Sequence, residues 1–418
     1  MSDCASASGL LSVDEARVRL LRAVVPLADV EEVALAQALG RVLASDVVAR
    51  VDVPPADNSA MDGFALRHAD LLTAAGHALP VVQRIPAGHI APPLAVGTVA
   101  RIFTGAEIPP GADVVVMQED CEYDAQQMVL KPAAVAQVQV GDNIRPRGQD
   151  MAAGAVVVAR GERLGAAQLG VIAAAGHGRV TVLRRVRVAI FSTGDELLEP
   201  GVAPAPGCIY NSNRYALLGY LAQLGCEVVD LAVVPDRREA TERALREAAG
   251  RADLVITTGG ASVGEEDHLR AALSAVGKVD LWKIAIKPGK PLLFGQVRSE
   301  RGEVPVIGLP GNPVSVAVTF MVFAVPFLRA LQGVTTRGTP PICLPAAFRV
   351  KRAGSRTEYL RVRLEPSLAG VRLARFPNQS SGVLTAMAWA DGLAVVPAGV
   401  TVEENDGLVY LPFSTLLA

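Results

Sequence analysis

Aromatic residues make up only 4% of this 418-residue chain, against 50% hydrophobic residues in all, so its core must be built from Val, Leu, Ile and Ala. Cysteine is scarce too. Cys4, Cys121, Cys208, Cys226 and Cys343 are odd in number, scattered and never spaced Cys-x-x-Cys, so neither a disulfide framework nor a zinc site is implied. They read as reduced residues of a cytoplasmic protein. His68, His77, His89, His177 and His268 form no metal-ligand spacing, and no Ser-His-Asp nucleophile elbow is present. Charge of one sign is also missing. The formal net charge is -2 with both signs interspersed, so the chain lacks the footprint of a nucleic-acid binder. The one basic stretch, Arg349 to Arg363, reads as a charged solvent face. There Arg361 and Arg363 alternate with Leu360, Val362 and Leu364, as on a strand with one wet side. No signal peptide is visible, and no apolar run reaches membrane-spanning length. Val314 to Val325, ended by Pro326 and Arg329, reads as a buried helix.

What the chain does have is turn residues, 39 Gly and 28 Pro, and a length that predicts about two to four domains. Ser12 and Glu15 form a capping box for a first helix, and a second helix is expected over Glu31 to Leu43. Residues 1–50 would thus hold N-terminal helices and the first part of a linker region. Residues 51–148 alternate short apolar runs with Pro and Gly, as in an inserted β-rich domain. Residues 149–182 would complete the linker region, with a helix over Gly165 to Ala175. Residues 183–333 alternate strands (RVAIFSTG, EVVDLAVVP, DLVITTGG) with helices, one of them capped by Ser212. That pattern predicts a doubly wound α/β domain with a parallel sheet covered on both faces. Residues 334–418 (PAAFRV, EYLRVRL, LAVVPAG, GLVYLPF) predict a small C-terminal β domain. Trp282 and Trp389 are expected in the core.

In such α/β sheets ligands sit beyond the carboxyl ends of the strands, which places the loops after Phe191, Val234 and Thr257 near one site. The loop Ser192–Leu197 (STGDEL) offers Ser192, Thr193, Asp195 and Glu196, with Gly194 among them. Its hydroxyls and amides suit a phosphate and its carboxylates a divalent cation; a helix cap explains it equally well. The loop Thr257–His268 offers Thr258, Gly259, Gly260, Ser262, Gly264 and Asp267, too many small polar residues for a plain turn. Lys287 and Lys290 in Lys-Pro-Gly-Lys-Pro suit phosphate or an oxyanion, or an exposed turn. Pro310, Gly311 and Pro313 fix a turn before the apolar helix, where an anion or nothing at all would sit. In the β-rich region DNSAMDGFA, FTGAEIPPGAD and GDNIRPRGQD bring Asp57, Asn58, Ser59, Asp62, Thr104, Asn143, Arg145, Arg147 and Asp150. Read singly, each is surface-turn chemistry.

Taken in order, DNSAMDGFA, FTGAEIPPGAD, GDNIRPRGQD, STGDEL, TTGGASVGEED, KPGKP, GLPGNPVS and the C-terminal QSSGVLTAMAWADGLAVVP resemble the molybdopterin molybdenumtransferase family, which includes the C-terminal domain of gephyrin. The resemblance runs along essentially the whole chain. It implies an enzyme that inserts molybdate into adenylylated molybdopterin, with Mg2+-dependent release of AMP. It also implies an elongated homodimer whose cleft is shared between the α/β domain of one subunit and the β-rich domain of the other. An adenylyltransferase, and molybdoenzymes or their chaperones, are the implied partners. Carried over residue by residue, Asp62, Thr104, Glu196, Asp267, Lys283 and Lys287 match functional positions. Glu196, Asp236 and Asp267 are the acidic, metal-binding ones. Ser192, Thr193, Gly194, Thr258, Gly259, Gly260, Ser262, Lys290, Pro310, Gly311, Pro313, Arg361 and Ser381 would contact the cofactor precursor. Asp150 is a further match in the inserted domain. Arg237 follows Asp236 where many members have a second acid, and Phe64 replaces a frequent Tyr. Two other readings are carried alongside: a non-catalytic pterin carrier or scaffold, and a molybdopterin adenylyltransferase, whose fold resembles the α/β domain alone.

Overall fold

The computed structural model of the protein describes residues 10–74, 77–259, 268–335, 340–368 and 370–417. Its centre is a six-stranded sheet. Strands Glu227–Val234, Arg187–Thr193, Leu254–Thr258 and Gly302–Leu309 lie side by side in that order and run parallel. Pro291–Ser299 and Gly277–Lys283 continue the sheet antiparallel, so it is mixed and not all-parallel as expected. The reason is local. Only Glu300 and Arg301 separate Pro291–Ser299 from Gly302–Leu309, enough for a hairpin and too few for a crossover helix.

Both faces of the sheet are covered, which is why its strands are continuous apolar runs. Ala189, Phe191, Val255 and Val306 pack with residues of helices Arg238–Arg251 and His268–Val276. On the other face Val188, Ile190, Ile256 and Ile307 pack with residues of helix Ser212–Gln223 and of the apolar helix from Pro313 to Leu331. Asn211, not Ser212, caps the former: its side chain accepts the Arg214 N–H at 3.3 Å. The apolar helix runs past Val325, where the sequence suggested an end. A π turn over Phe320–Ala324 carries it through Pro326 to Leu331. At 19 residues it is long and apolar enough to cross a membrane, but 83% of its apolar window is buried inside the protein, and core packing accounts for it. The first helix, Val13–Arg22, has the expected capping box: Ser12 Oγ accepts the Glu15 N–H at 3.2 Å, and Glu15 accepts the Ser12 N–H at 2.8 Å. Its Val13, Ala16 and Leu20 join the core of the central sheet.

The helix expected over Glu31 to Leu43 does not form. Val30–Ala34 is a strand paired antiparallel with Arg179–Leu183, followed by a short 3₁₀ turn over Leu35–Gln37. The apolar spacing there is helical, but pairing with a distant strand overrides it. Helix Ala166–Ala174 supplies Ile172 to a small core with Leu43, Val47, Leu164 and Val182. Between these pieces lies a second six-stranded sheet, ordered Val114–Met117, Gly63–Leu66, Val99–Ile102, Leu79–Ile85, Gln127–Leu130, Cys121–Tyr123.

The last sheet is ordered Ile286–Lys287, Thr357–Ser367, Gly392–Val396, Gly407–Pro412, Ile342–Pro345, with Gly370–Arg375 beside Thr357–Ser367. The expected strand PAAFRV contributes only Pro345 to a ladder; Ala346 and Val350 make isolated bridges. Arg361 is fully buried and Leu364 is exposed, the reverse of the expected wet face. Gln379 causes the burial. Its side chain brackets the Arg361 backbone, accepting the N–H at 3.0 Å and donating to the carbonyl at 3.1 Å, and so lays its loop across the strand. Trp389 is half-buried, packed on Phe376 and under the Arg363 guanidinium. The Trp282 side chain lies outside the described residues.

Candidate functional site

Three parallel strands end at one cleft of about 1010 Å³. Thr193 and Gly194 come from the end of Arg187–Thr193, Asp236 from the loop after Val234, and Thr258 and Gly259 from the end of Leu254–Thr258. This is the switch-point position expected for a ligand. Ser192 does not line the cleft; its hydroxyl lies 3.0 Å from that of Thr258 and ties the strand ends together from behind. Gly259 has φ +86°, and a Cβ there would lie 2.4 Å from the Thr193 carbonyl oxygen. Only glycine lets these two loops touch.

Among the described residues, Thr193 Oγ1 and Asn211 Nδ2 are buried at the cleft without a hydrogen-bond partner. Buried polar groups are almost always satisfied, so these two atoms are open to a partner from outside the described residues. Glu196 stands exposed at the cleft, and Asp195 Oδ1 accepts the Asp236 N–H at 3.2 Å. Lys287, Pro288, Gly289 and Lys290 form another part of the lining. Lys287 Nζ lies 2.9 Å from Glu358 Oε1. Pro310, Gly311 and Pro313 add the entry of the apolar helix, and Gly311 O accepts from Asn213 Nδ2 at 2.7 Å. The last sheet contributes Arg356, Gln379, Ser380 and Ser381, and Ser381 O accepts the Val314 N–H at 3.0 Å.

Arg361 stands behind that wall and does not line it. Its Nη1 donates to Tyr359 O at 3.1 Å and Nη2 to Ser380 O at 3.4 Å, while Nε has no partner among the described residues. Burial pulls its pKa down to about 10. Lys283 is exposed and also absent from the lining. Gly260, Ser262 and Asp267 lie outside the described residues.

Asp62 and Thr104 form a separate pair. Asp62 Oδ1 accepts both the Thr104 N–H and the Thr104 hydroxyl, each at 2.8 Å. Those bonds, the backbone one foremost, hold the Asp62 carboxyl below its ordinary pKa. Neither residue lines the cleft of this chain. Nor does Asp150, whose backbone N–H donates to Val53 O at 2.9 Å. Nearby, Asn58–Ser59 pairs with Ile144–Arg145, and the Arg147 N–H donates to Asp57 at 2.8 Å, which joins two of the three motifs of this region.

Sequence reasoning missed Asn211, Asn213, Arg356 and Gln379. The run Asn-Ser-Asn at a helix start signals only a cap. Arg356 and Gln379 reach the cleft through the last sheet, and nothing near them in sequence marks that. Among the described residues no group of three or more His, Cys, Asp or Glu is placed to hold a metal. Magnesium needs no such cage: it takes one or two carboxylates and fills its octahedron with water and phosphate oxygens. Glu196 and Asp236 at a cleft that also carries lysines fit that donor set.

Three family models cover the chain in order: the MoeA N-terminal region (domain I and II) matches residues 11–176, the probable molybdopterin binding domain residues 189–330, and the MoeA C-terminal region (domain IV) residues 344–413. A molybdopterin molybdenumtransferase of Haemophilus influenzae is 38% identical over 84% of this chain and 85% of its own length. One from Nostoc sp. is 36% identical over 89% of this chain and 86% of its own. The solved structure of the molybdopterin biosynthesis moeA protein from Pyrococcus horikoshii OT3 superimposes with a TM-score of 0.81 at 27% identity, covering 97% of this chain and all of that one. On these matches, which run in order along nearly its whole length, the chain belongs to the molybdopterin molybdenumtransferase family of molybdenum-cofactor biosynthesis.

Proposed function

We propose that this protein inserts molybdate into adenylylated molybdopterin and releases AMP. The observation that carries the reading is the cleft itself. Donors at Thr193 and Asn211 that have no partner among the described residues, carboxylates at Glu196 and Asp236, and ammonium groups at Lys287 and Lys290 line one space large enough for a pterin nucleotide. In this reading Thr193, Gly194, Thr258 and Gly259 bind the nucleotide phosphates through hydroxyls and close backbone. Lys287 and Lys290 attract the oxyanion and offset charge on the phosphates. Ser381, held through its carbonyl, and Arg361 behind it keep the far wall in place.

Mg2+ would be held by Glu196 and Asp236, with Asp267 a further candidate. When bound, it supplies electrostatic stabilisation of the anhydride oxygens. No protein nucleophile is needed: the thiolates that bond to molybdenum belong to the substrate and expel molybdate oxygen as water, and a water molecule cleaves the phosphoanhydride to give AMP and the pterin phosphate.

We also propose that the protein works as a homodimer in the cytoplasm. What supports a dimer is the separation of Asp62 and Thr104 from the cleft: a second copy would bring its own pair to the first copy's cleft. An adenylyltransferase upstream, and molybdoenzymes or their chaperones downstream, are the proposed partners.

The test is AMP release from purified protein given adenylylated molybdopterin, Mg2+ and molybdate, against the same mixture without molybdate. Molybdate-dependent AMP release with a molybdenum-loaded pterin is expected. Tight pterin binding with no AMP release would replace this reading with that of a carrier.

A further inference from the structure

The sheet that carries Asp62 and Thr104 also holds a caged guanidinium that the reading above does not use. Arg101, half-buried in strand Val99–Ile102, has its guanidinium carbon 5.0 Å from the Phe64 ring, 5.0 Å from Phe103 and 5.1 Å from Tyr123. Phe64 and Tyr123 meet edge to face at 5.0 Å and close the cage on one side.

The nitrogens are committed as well. Nη1 donates to Gly63 O at 3.0 Å, and Nη2 donates to Gln118 Oε1. The Gln118 backbone N–H in turn donates to Asp62 O at 3.1 Å. Gly63 is the residue after Asp62, and Phe103 the residue before Thr104. Three chain segments therefore meet on one side chain, and two of them carry the Asp62–Thr104 pair.

Besides their own two hydrogen bonds, the pair is flanked by backbone bonds from Phe103 N–H to Ile85 O at 3.3 Å and from Gly105 N–H to Ser59 O at 2.8 Å, and Arg101 is the side chain that reaches both segments. Both residues are exposed at the end of the sheet. No side chain at position 63 can help, because a Cβ there would lie 1.9 Å from Val116 O. A planar fork that donates along its edge while rings pack on its faces is what arginine offers and lysine does not.

We infer that Arg101 is a positioning residue for the proposed reaction, holding the Asp62 carboxylate and the Thr104 hydroxyl at a fixed separation. The inference rests on the reading that this pair serves AMP release, so its test has an arm that does not depend on turnover. The Thr104 amide donates to Asp62 Oδ1, and its hydrogen exchange reports the pair directly.

In the full-length protein, Arg101→Met is expected to speed exchange at Thr104 about tenfold or more, the equivalent of about 1.4 kcal/mol, with the amides of Val114–Met117 unchanged. Turnover is expected to fall about 10²-fold, as for a misplacement near 1 Å, with KM moving less than about threefold. Arg101→Lys recovers little of either. Gln118→Leu, which removes one anchor and spares the cage, gives a smaller loss, and Gln118→Glu, which keeps an acceptor for the guanidinium, restores most of it.

Wild-type exchange at Thr104 in Arg101→Met overturns the inference. So does loss of protection spread across Val114–Met117, which would make Arg101 a fold residue only. If the wild-type protein releases no AMP, the functional reading fails, and the exchange data still decide what Arg101 holds. If Arg101→Met does not fold, the Gln118 pair decides by the same two readouts.

Discussion

Replacing Gly259 by alanine forces two strand ends apart at the floor of the cleft. The residue sits at φ +86°, and the new methyl carbon would lie 2.4 Å from Thr193 O and 3.1 Å from Thr193 Oγ1. The left-handed backbone costs a non-glycine residue about 1–3 kcal/mol. The overlap is about 1 Å inside ordinary contact, and overpacking of that kind costs about 1–3 kcal/mol more. Together the strain is about 2–6 kcal/mol, concentrated where Thr193 and Thr258 face the ligand. If about a quarter to a half of it falls on the bound state, about 0.5–3 kcal/mol, nucleotide affinity drops by about twofold to 150-fold. Gly201→Ala is the control: φ there is +96°, and nothing lies within 4 Å of the added carbon. It carries the backbone cost without the clash, away from the two strand ends. Titration calorimetry with AMP or the adenylylated pterin, beside urea midpoints for both variants, separates the two costs. Equal midpoint shifts and equal affinities in the two variants would refute the argument that close approach of these loops shapes the site.

Asp62→Asn and Glu196→Gln are expected to melt like wild type and to lose about 10²-fold or more in AMP release, since both side chains are exposed and serve charge, not packing. Wild-type turnover in either variant removes it from the site. Thr104→Val deletes one of the two bonds that hold the Asp62 carboxyl low. The ionised form then persists over a narrower range, and the acid limb of the pH–rate profile moves to higher pH; an unmoved limb would mean that Asp62 does not set it. Arg361, with its pKa pulled to about 10 against an ordinary 12.5, has its charge opposed by folding below that pH, and the opposition fades as pH rises through about 10. Arg361→Met abolishes that pH dependence of the midpoint. It also loosens the Ser380–Ser381 wall, so weaker substrate binding is expected without a large stability loss; a collapse in stability at pH 7 would contradict this.

The α/β centre was legible because its signals are local. Apolar runs end in small polar loops, helices start at caps, and the switch-point rule then places Thr193, Asp236 and Thr258 together. Where a distant partner decides the outcome, the local pattern misleads. Glu31 to Leu43 has helical spacing and becomes a strand because Arg179–Leu183 is waiting for it. Arg361 alternates like a surface residue and is buried because the Gln379 loop folds over it. The mixed order of the central sheet follows from a hairpin whose turn, Glu300 and Arg301, reads as ordinary surface. Asp62 and Thr104 were each indistinguishable from turn chemistry. Their hydrogen bond, across two non-adjacent segments, is what joins them, and sequence spacing does not encode it.

The pairing of Ile286–Lys287 with Thr357–Glu358 has a bearing on how such a chain can be taken apart and reassembled. Lys287 belongs by sequence to the segment leaving the central sheet, yet its backbone is registered on the C-terminal sheet and its ammonium on Glu358. The last module is therefore no detachable ornament. A chimera that exchanges residues 340–412 with a relative's also exchanges the template on which the lysine turn is set. Unless residues 283–291 travel with it, the hybrid inherits one parent's strand ends and the other's charge placement. Recombination along this chain has a natural breakpoint on either side of that turn and none within it.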